Sequence, residues 1–140
     1  MTWAKASDIP PGAWRWPFVN PATEWACKGT GRVLVVPEFM DRLHKLRVAW
    51  ARPLIITSGY RSPEHNLRVA QSGADGPHTT GRAVDIRIYG THVYHLLELA
   101  YAHGFTGIGL DQTGPIASRI LHLDDLTDGP ASPRPWIWTY

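Results

Sequence analysis

The sequence predicts a small α+β domain in which helices pack on a mostly antiparallel sheet. Helical and strand-like segments alternate along the chain, but without the regular strand–helix–strand spacing of a parallel sheet and without internal repeats. The 140 residues suffice for one core, since a chain of this length buries roughly two thirds of the surface that its unfolded form exposes. We therefore expect a single domain over residues 1–140.

The first predicted elements follow an irregular arm. Residues 1–35 are rich in Pro, Gly and Trp, and we expect them to wrap around the domain. Pro37 suits the first position of a helix, and apolar residues then recur at helical spacing until Pro53. The apolar run PLIIT (53–57) predicts a buried strand, and SGYRS (58–62) follows it as a turn.

The second half of the chain predicts two more helices and three strands. Ser62 is a candidate N-cap for a short helix that ends at Gly73, and a third helix is predicted over residues 91–104. Between them, RAVDIRI (82–88) alternates strictly, which predicts a strand with Asp85 pointing away from the apolar face. The last two predicted strands are TGIGL (106–110) and RILHLDD (119–125).

Composition and charge exclude several classes of protein. Apolar residues make up 44% of the chain and charged residues 19%, which excludes a disordered protein. The net charge of +2 comes from scattered basic residues, so nucleic acid is not an expected partner. No apolar run reaches the roughly 18 residues that a membrane span needs, and the N-terminus lacks the features of a secretory signal. We expect a monomer that is made in the cytoplasm and has no membrane partner.

The single cysteine and the tryptophans have less defined roles. Because Cys27 is the only cysteine, it cannot form an internal disulfide, and we expect it to be packed and inert. Many of the seven tryptophans cluster towards the two ends of the chain. For these we favour ends that fold back onto one core over a sugar-stacking platform. The clustered residues are Trp14, Trp16, Trp25, Trp136 and Trp138.

His78, Asp85 and His122 are the candidate metal ligands. A catalytic zinc ion typically takes three nitrogen or oxygen ligands and keeps a fourth position for water. His122 lies in the strand-like run 119–125, on the face that would also carry Asp124. Spacing alone leaves an alternative, in which His78 caps a loop, Asp85 pairs with a neighbouring arginine and His122 is half exposed.

These candidates lie in motifs that resemble those of a known family. The blocks SGYRSPEHN (58–66), PHTTGRAVDI (77–86) and ILHLDD (120–125) resemble, in this order, the zinc D-Ala-D-Ala carboxypeptidases, especially short phage- and bacterium-encoded members. The family pattern is Ser-x-His-x-x-Gly-x-Ala-x-Asp, followed by a strand that bears the last histidine. The resemblance runs from about residue 24 to the C-terminal RPWIWTY and implies the hedgehog/DD-peptidase fold.

The resemblance also implies roles for individual residues. Arg61 would bind the substrate carbonyl or carboxylate and stabilise the oxyanion, since a guanidinium is always charged. Tyr60 and Ser58, in the same turn, would contribute to substrate binding. Arg82 is expected to pair with a carboxylate near the site, because a guanidinium does not bind metals. The ligands of Zn²⁺ would be His78, Asp85 and His122.

The general base is the main departure from the family pattern. Many relatives carry a carboxylate three residues before the last histidine or a histidine two residues before it, and these positions here are Arg119 and Ile120. Asp124 is the expected substitute, because it shares the predicted face of His122 and could take a proton from metal-bound water. Support of His122 from behind is the alternative role, and Asp111 is a weaker candidate base.

The function that the resemblance implies is zinc-dependent hydrolysis of an amide bond next to a D-amino acid in peptidoglycan stem peptides. The enzyme would be a carboxypeptidase or an endopeptidase for cell-wall lysis or remodelling. It would reach the wall after phage lysis or as part of a virion. The missing base supports an alternative, a zinc-binding module without catalysis that has a structural or wall-binding role.

Overall fold

A five-stranded sheet forms the centre of the computed structural model, which describes residues 1–140. The helices and strands are β1 Thr2–Trp3, β2 Val33–Leu34, α1 Pro37–Trp50, β3 Ile55–Ser58, α2 Pro63–Val69, β4 Ala83–Arg87, α3 Thr91–Ala102, β5 Gly107–Asp111, β6 Ile120–Asp124 and β7 Trp136–Thr139. The central strands lie in the order β3, β4, β6, β5, β7, and only β5 and β7 pair in parallel. The predicted α+β class with a mostly antiparallel sheet is confirmed.

The sheet has one apolar face and one polar face at its centre. In β4 and β6 the apolar positions join the hydrophobic core, which also contains the buried faces of α1 and α3. Because side chains alternate along a strand, Asp85 and His122 then lie on the opposite face. The prediction for Asp85 is therefore confirmed. The core positions of these two strands are Val84, Ile86, Leu121 and Leu123.

The helices begin where the sequence predicts, but α2 ends early. Its last residue is Val69, whereas Gly73 was the predicted end, and Ala70 is already extended. The Asn66 side chain donates hydrogen bonds to Ser72 Oγ at 2.9 Å and to Gly73 O at 2.5 Å. These contacts hold the segment after α2 as a turn, so the chain leaves the helix before its glycine stop.

None of the helices is both long and apolar enough to span a membrane.

The N-terminal arm contributes to the core. Its ends are tied together by the antiparallel pair of β1 and β2. Trp16 and Trp25 are buried, and Trp25 Nε1 donates to Leu34 O at 2.8 Å. Cys27 is buried as expected and accepts a hydrogen bond from Ser62 N at 3.3 Å. The prediction that terminal tryptophans fold back onto the core thus holds for this arm.

The C-terminal strand β7 was not predicted, and it lies beside the polar face. Trp138 pairs in register with Gly109 of β5, and Gly109 pairs with His122 of β6. A Cβ at Gly109 would lie 2.8 Å from the indole of Trp138, so only glycine lets this ring lie against the sheet. Since His122 also pairs with Asp85, these four residues form one row across the sheet. Trp136, by contrast, is exposed.

Candidate metal centre

Three side chains from three segments converge on the polar face of the sheet. Asp85 and His122 come from the neighbouring strands β4 and β6, whereas His78 comes from the short 3₁₀ turn Pro77–Thr80. His78 Nε2 lies 3.1 Å and His122 Nδ1 lies 3.0 Å from Asp85 Oδ1. The candidate ligand atoms of all three lie within 4.8 Å of one another, and all three residues are buried. The structure therefore brings together the predicted metal ligands.

Gly81 closes the turn that returns His78 to the sheet. It has a φ of 71°, in the left-handed region, immediately before β4 begins. Its amide donates to His78 O, and Thr80 Oγ1 donates to Pro77 O at 2.6 Å. Side chains seven positions apart thereby meet.

Hydrogen bonds on the outer side of both imidazoles determine where their protons lie. His78 Nδ1 is 2.7 Å from Gly59 O, and His122 Nε2 is 2.9 Å from Asp124 Oδ2. Because a carbonyl and a carboxylate only accept, each of these nitrogens carries the proton. The inner nitrogens both face Asp85 Oδ1, and a neutral imidazole offers its lone pair there, so the three atoms can serve together as ligands of one ion. This donor set fits a divalent cation, and zinc takes such ligands.

Burial and the neighbouring carboxylates set the charge states. Burial lowers the pKa of His78, although Asp85 acts in the opposite direction. Burial alone would raise the pKa of Asp85, but His78 and His122 hold it far below its usual range. Burial would also lower the pKa of His122, yet its hydrogen bonds to Asp124 and Asp85 prevail and raise it. An anionic centre flanked by two imidazoles attracts either a proton or a metal ion.

Arg61 lies beside the second oxygen of Asp85. Its Nη2 donates to Asp85 Oδ2 at 3.1 Å, while Nε donates to Ser58 Oγ and Nη1 to Asn66 Oδ1, both at 3.2 Å. Three acceptors thus fix the guanidinium next to the candidate metal centre. Ser58 helps to hold the Arg61 side chain in place, and it is not among the residues that line the cleft over the three candidate ligands. Tyr60 packs in the apolar core with 7% of its surface exposed, so the expectation that it contacts substrate is not supported.

Asp124 lies behind His122, on the side away from Asp85. It is fully buried, and its oxygens accept from His122 Nε2 and, at 2.8 Å each, from Nε and Nη2 of Arg134. Burial alone would raise the pKa of Asp124, but these hydrogen bonds lower it to about 2. A good base at neutral pH has a pKa near 7 and touches the reacting atoms. The position of Asp124 therefore argues against the expected role as base and matches the alternative, support of His122.

Arg82 pairs with a carboxylate as expected, but that carboxylate, Asp125, does not support the candidate site. Its Nε and Nη2 donate to the two oxygens of Asp125 at 2.9 and 3.0 Å, and Arg42 Nε adds a third bond at 3.1 Å. Asp125 is buried and touches none of the three candidate ligands. Asp111, the weaker candidate base, lies at the end of β5 and does not line the cleft that opens over His78, Asp85 and His122.

A cleft of about 580 Å³ opens over the three candidate ligands. Its walls come from the turn after α2 and from the C-terminal strand. Sequence reasoning missed these wall residues, although the clustered tryptophans were a signal for Trp138, whose ring centroid is 5.0 Å from that of His122. The lining residues beyond the triad and Arg61 are Val69, Ala70, Gln71, Ser72, Pro77, Ile120, Trp138 and Tyr140.

A larger groove of about 700 Å³ lies elsewhere, between the end of α1, β4 and the start of α3. Most of its lining is apolar, and it contains none of the three candidate ligands. An active site needs reactive side chains as well as space, and only the smaller of these two cavities contains the three candidate ligands. The smaller cleft is therefore the candidate active site.

Comparison with known protein families agrees with this geometry. A family model described as peptidase M15 matches residues 13–124, which is more than half of the chain. The chain belongs to the peptidase M15 family. The match contains all three candidate ligands and confirms the resemblance to zinc D-Ala-D-Ala carboxypeptidases; the M15 peptidases are zinc-dependent. No curated protein and no solved structure matches the chain.

Proposed function

We propose that this M15 peptidase binds one Zn²⁺ ion through His78 Nε2, Asp85 Oδ1 and His122 Nδ1. We further propose that it hydrolyses an amide bond next to a D-amino acid in peptidoglycan stem peptides. The proposal depends chiefly on one observation, the convergence of two imidazole nitrogens and one carboxylate oxygen at the floor of a cleft. When bound there, zinc would polarise the substrate carbonyl and activate water for attack.

Arg61 is the residue we assign to the charge that develops on the substrate. Its guanidinium lines the cleft and stays ionised, so it can donate to a substrate carbonyl oxygen or terminal carboxylate. Because Ser58 and Asn66 hold it in place, little reorganisation accompanies the reaction. Such preorganised donors stabilise an oxyanion more than mobile ones do.

His122 depends on the carboxylate behind it. Asp124 holds the proton on Nε2 and thereby keeps Nδ1 available as a ligand. A carboxylate that orients a ligating histidine in this way also raises its basicity. We therefore assign Asp124 to positioning of His122.

A second candidate function is metal binding without hydrolysis, in a structural or wall-binding role. One observation favours it: Asp85 is the only side-chain carboxylate among the residues that line the cleft, and we have assigned it as a ligand. The remaining polar groups there are Arg61, Gln71, Ser72 and Tyr140. At neutral pH none of these side chains is a ready proton acceptor.

Digestion of purified peptidoglycan separates the two functions. Several wall types are incubated with zinc-loaded protein, with and without a chelator, and the products are analysed by mass spectrometry. We expect new amines or released D-Ala that vanish with chelator and return with Zn²⁺. Stoichiometric zinc without any cleavage would favour the second function, whereas a folded protein that retains no zinc would exclude both.

Access to the wall is part of the same proposal. Because the motifs resemble those of short phage- and bacterium-encoded enzymes, we propose that the protein acts after release from the cell, by phage lysis or with a virion.

A further inference from the structure

Arg134 lies behind the metal centre, in the segment between β6 and β7. Its Nε and Nη2 donate to Asp124 Oδ1 and Oδ2, both at 2.8 Å. The Arg134 side chain is only 6% exposed, and that of Asp124 is not exposed at all. A buried, two-pronged pair of this kind fixes the plane of the carboxylate as well as its distance.

The carboxylate that Arg134 fixes is the one that orients a candidate metal ligand. Asp124 Oδ2 accepts from both Arg134 Nη2 and His122 Nε2. Rotation of the carboxylate would therefore break its contact with His122. Without that acceptor, the imidazole could carry its proton on Nδ1, the nitrogen that faces Asp85.

The Asp124 carboxylate occupies the space that a side chain at position 107 of the neighbouring strand β5 would take. Gly107 of β5 pairs in register with Asp124, and a Cβ at Gly107 would lie 2.2 Å from Asp124 Oδ1. No residue with a side chain fits at position 107 while Asp124 keeps its place. The geometry of β5 is thus matched to the position of the carboxylate.

Arg134 also contacts a wall of the cleft. Its Cζ lies 5.3 Å from the ring centroid of Trp138, within the range of a cation–π contact. The same indole lies against His122 and lines the cleft. One guanidinium therefore touches both the carboxylate behind the ligand and the aromatic wall in front of it.

We propose that Arg134 is a positioning residue that holds His122 in its metal-binding tautomer through Asp124 and holds Trp138 at the cleft wall. This inference rests on the proposed metal centre. It concerns a residue that lies beyond the residues 13–124 matched by the family model.

The test compares zinc affinity in Arg134→Met, Arg134→Lys and Arg42→Met, measured by competition with a chromogenic chelator. Loss of a group that orients a metal ligand typically weakens binding about 10- to 100-fold, and we expect this for Arg134→Met. Arg134→Lys should recover part of the loss, since lysine keeps the charge but not the two-pronged geometry. Arg42→Met is the matched control, because Arg42 pairs with the buried Asp125 and touches no candidate ligand. It should bind zinc like the wild type.

A second readout distinguishes positioning from general stability. Nitrogen-15 NMR of the histidine side chains should show His122 protonated on Nε2 in the wild type and partly on Nδ1 in Arg134→Met. A purely structural role would lower the melting temperature of both arginine-to-methionine variants but leave this tautomer unchanged.

If Arg134→Met does not fold, Gly107→Ala tests the same inference. It removes no polar group but pushes a methyl group towards Asp124 Oδ1, so zinc affinity should fall. Wild-type zinc affinity and an unchanged His122 tautomer, in Arg134→Met or in Gly107→Ala, would overturn the inference and leave the proposed function intact. Failure of the wild type itself to bind zinc would instead refute the metal centre.

Discussion

The substitution Asp124→Asn separates the two roles considered for this carboxylate. Asparagine has the same shape but offers one oxygen and one NH₂ group. If the NH₂ group faces His122, a donor meets the Nε2–H, and the imidazole relieves the clash by moving its proton to Nδ1, the nitrogen proposed as a ligand. If the amide is reversed, the NH₂ group faces Arg134 Nε instead. In either orientation a buried donor opposes another donor.

The size of the effect follows from the burial of Arg134. Its side chain is 6% exposed, so solvent cannot replace the lost carboxylate. Breaking a buried ion pair by removing one partner costs about 3–5 kcal/mol of unfolding free energy. For a domain of this size we take roughly 3 °C per kcal/mol, which gives a decrease in melting temperature of about 10–15 °C. Zinc affinity should fall by about 10- to 100-fold in addition.

The assays are thermal unfolding of the metal-free protein and chelator competition for zinc. The matched control is Asp125→Asn, because Asp125 is the next residue, is equally paired with arginines and touches no candidate ligand. It should lower the melting temperature and leave zinc affinity unchanged. Full zinc affinity in Asp124→Asn together with lost hydrolysis would refute the positioning role and restore Asp124 as the base.

Three further outcomes are expected. The first concerns the substitutions His78→Ala, Asp85→Ala and His122→Ala, each of which should abolish zinc retention after dialysis, measured by elemental analysis. Wild-type zinc content in one of these variants would remove the substituted residue from the proposed ligand set. Arg61→Lys should keep its zinc but lower kcat by about 10²-fold, as loss of an oxyanion donor does; an unchanged kcat on a stem-peptide substrate would exclude that role. Gly109→Ala places a methyl group 2.8 Å from the Trp138 indole and should raise KM for the peptide through displacement of the cleft wall. An unaltered KM with altered tryptophan fluorescence would show that the wall does not contact substrate.

The sequence predicts those parts of the fold that depend on interactions between residues close together along the chain. Pro37 predicts the start of α1 because it suits the first helical position, and the helix does begin there. Strict alternation predicts the polar face of β4 and so the direction of Asp85. The triad followed from the motif resemblance, and the register of β4 with β6 explains why residues 37 positions apart meet.

Other features depend on contacts between distant segments, which no local pattern carries. The early end of α2 depends on Asn66 reaching across the turn that follows. The pairing of β7 with β5 depends on a close approach at Gly109, which is visible only once Trp138 lies over it. Alternation placed Asp124 on the correct face, but it could not show that Arg134 occupies its other side.

The two candidate ligands on strands and the one on a turn differ in how they can move. Asp85 and His122 are paired within the hydrogen-bonded ladder of β4 and β6, so they separate only if the sheet opens. His78 lies instead in a four-residue 3₁₀ turn, which is tied to the neighbouring segment by hydrogen bonds from His78 Nδ1 to Gly59 O and from Arg61 N to His78 O. We therefore expect uptake and release of the proposed ion to involve movement of the His78 turn, while Asp85 and His122 keep their places in the sheet.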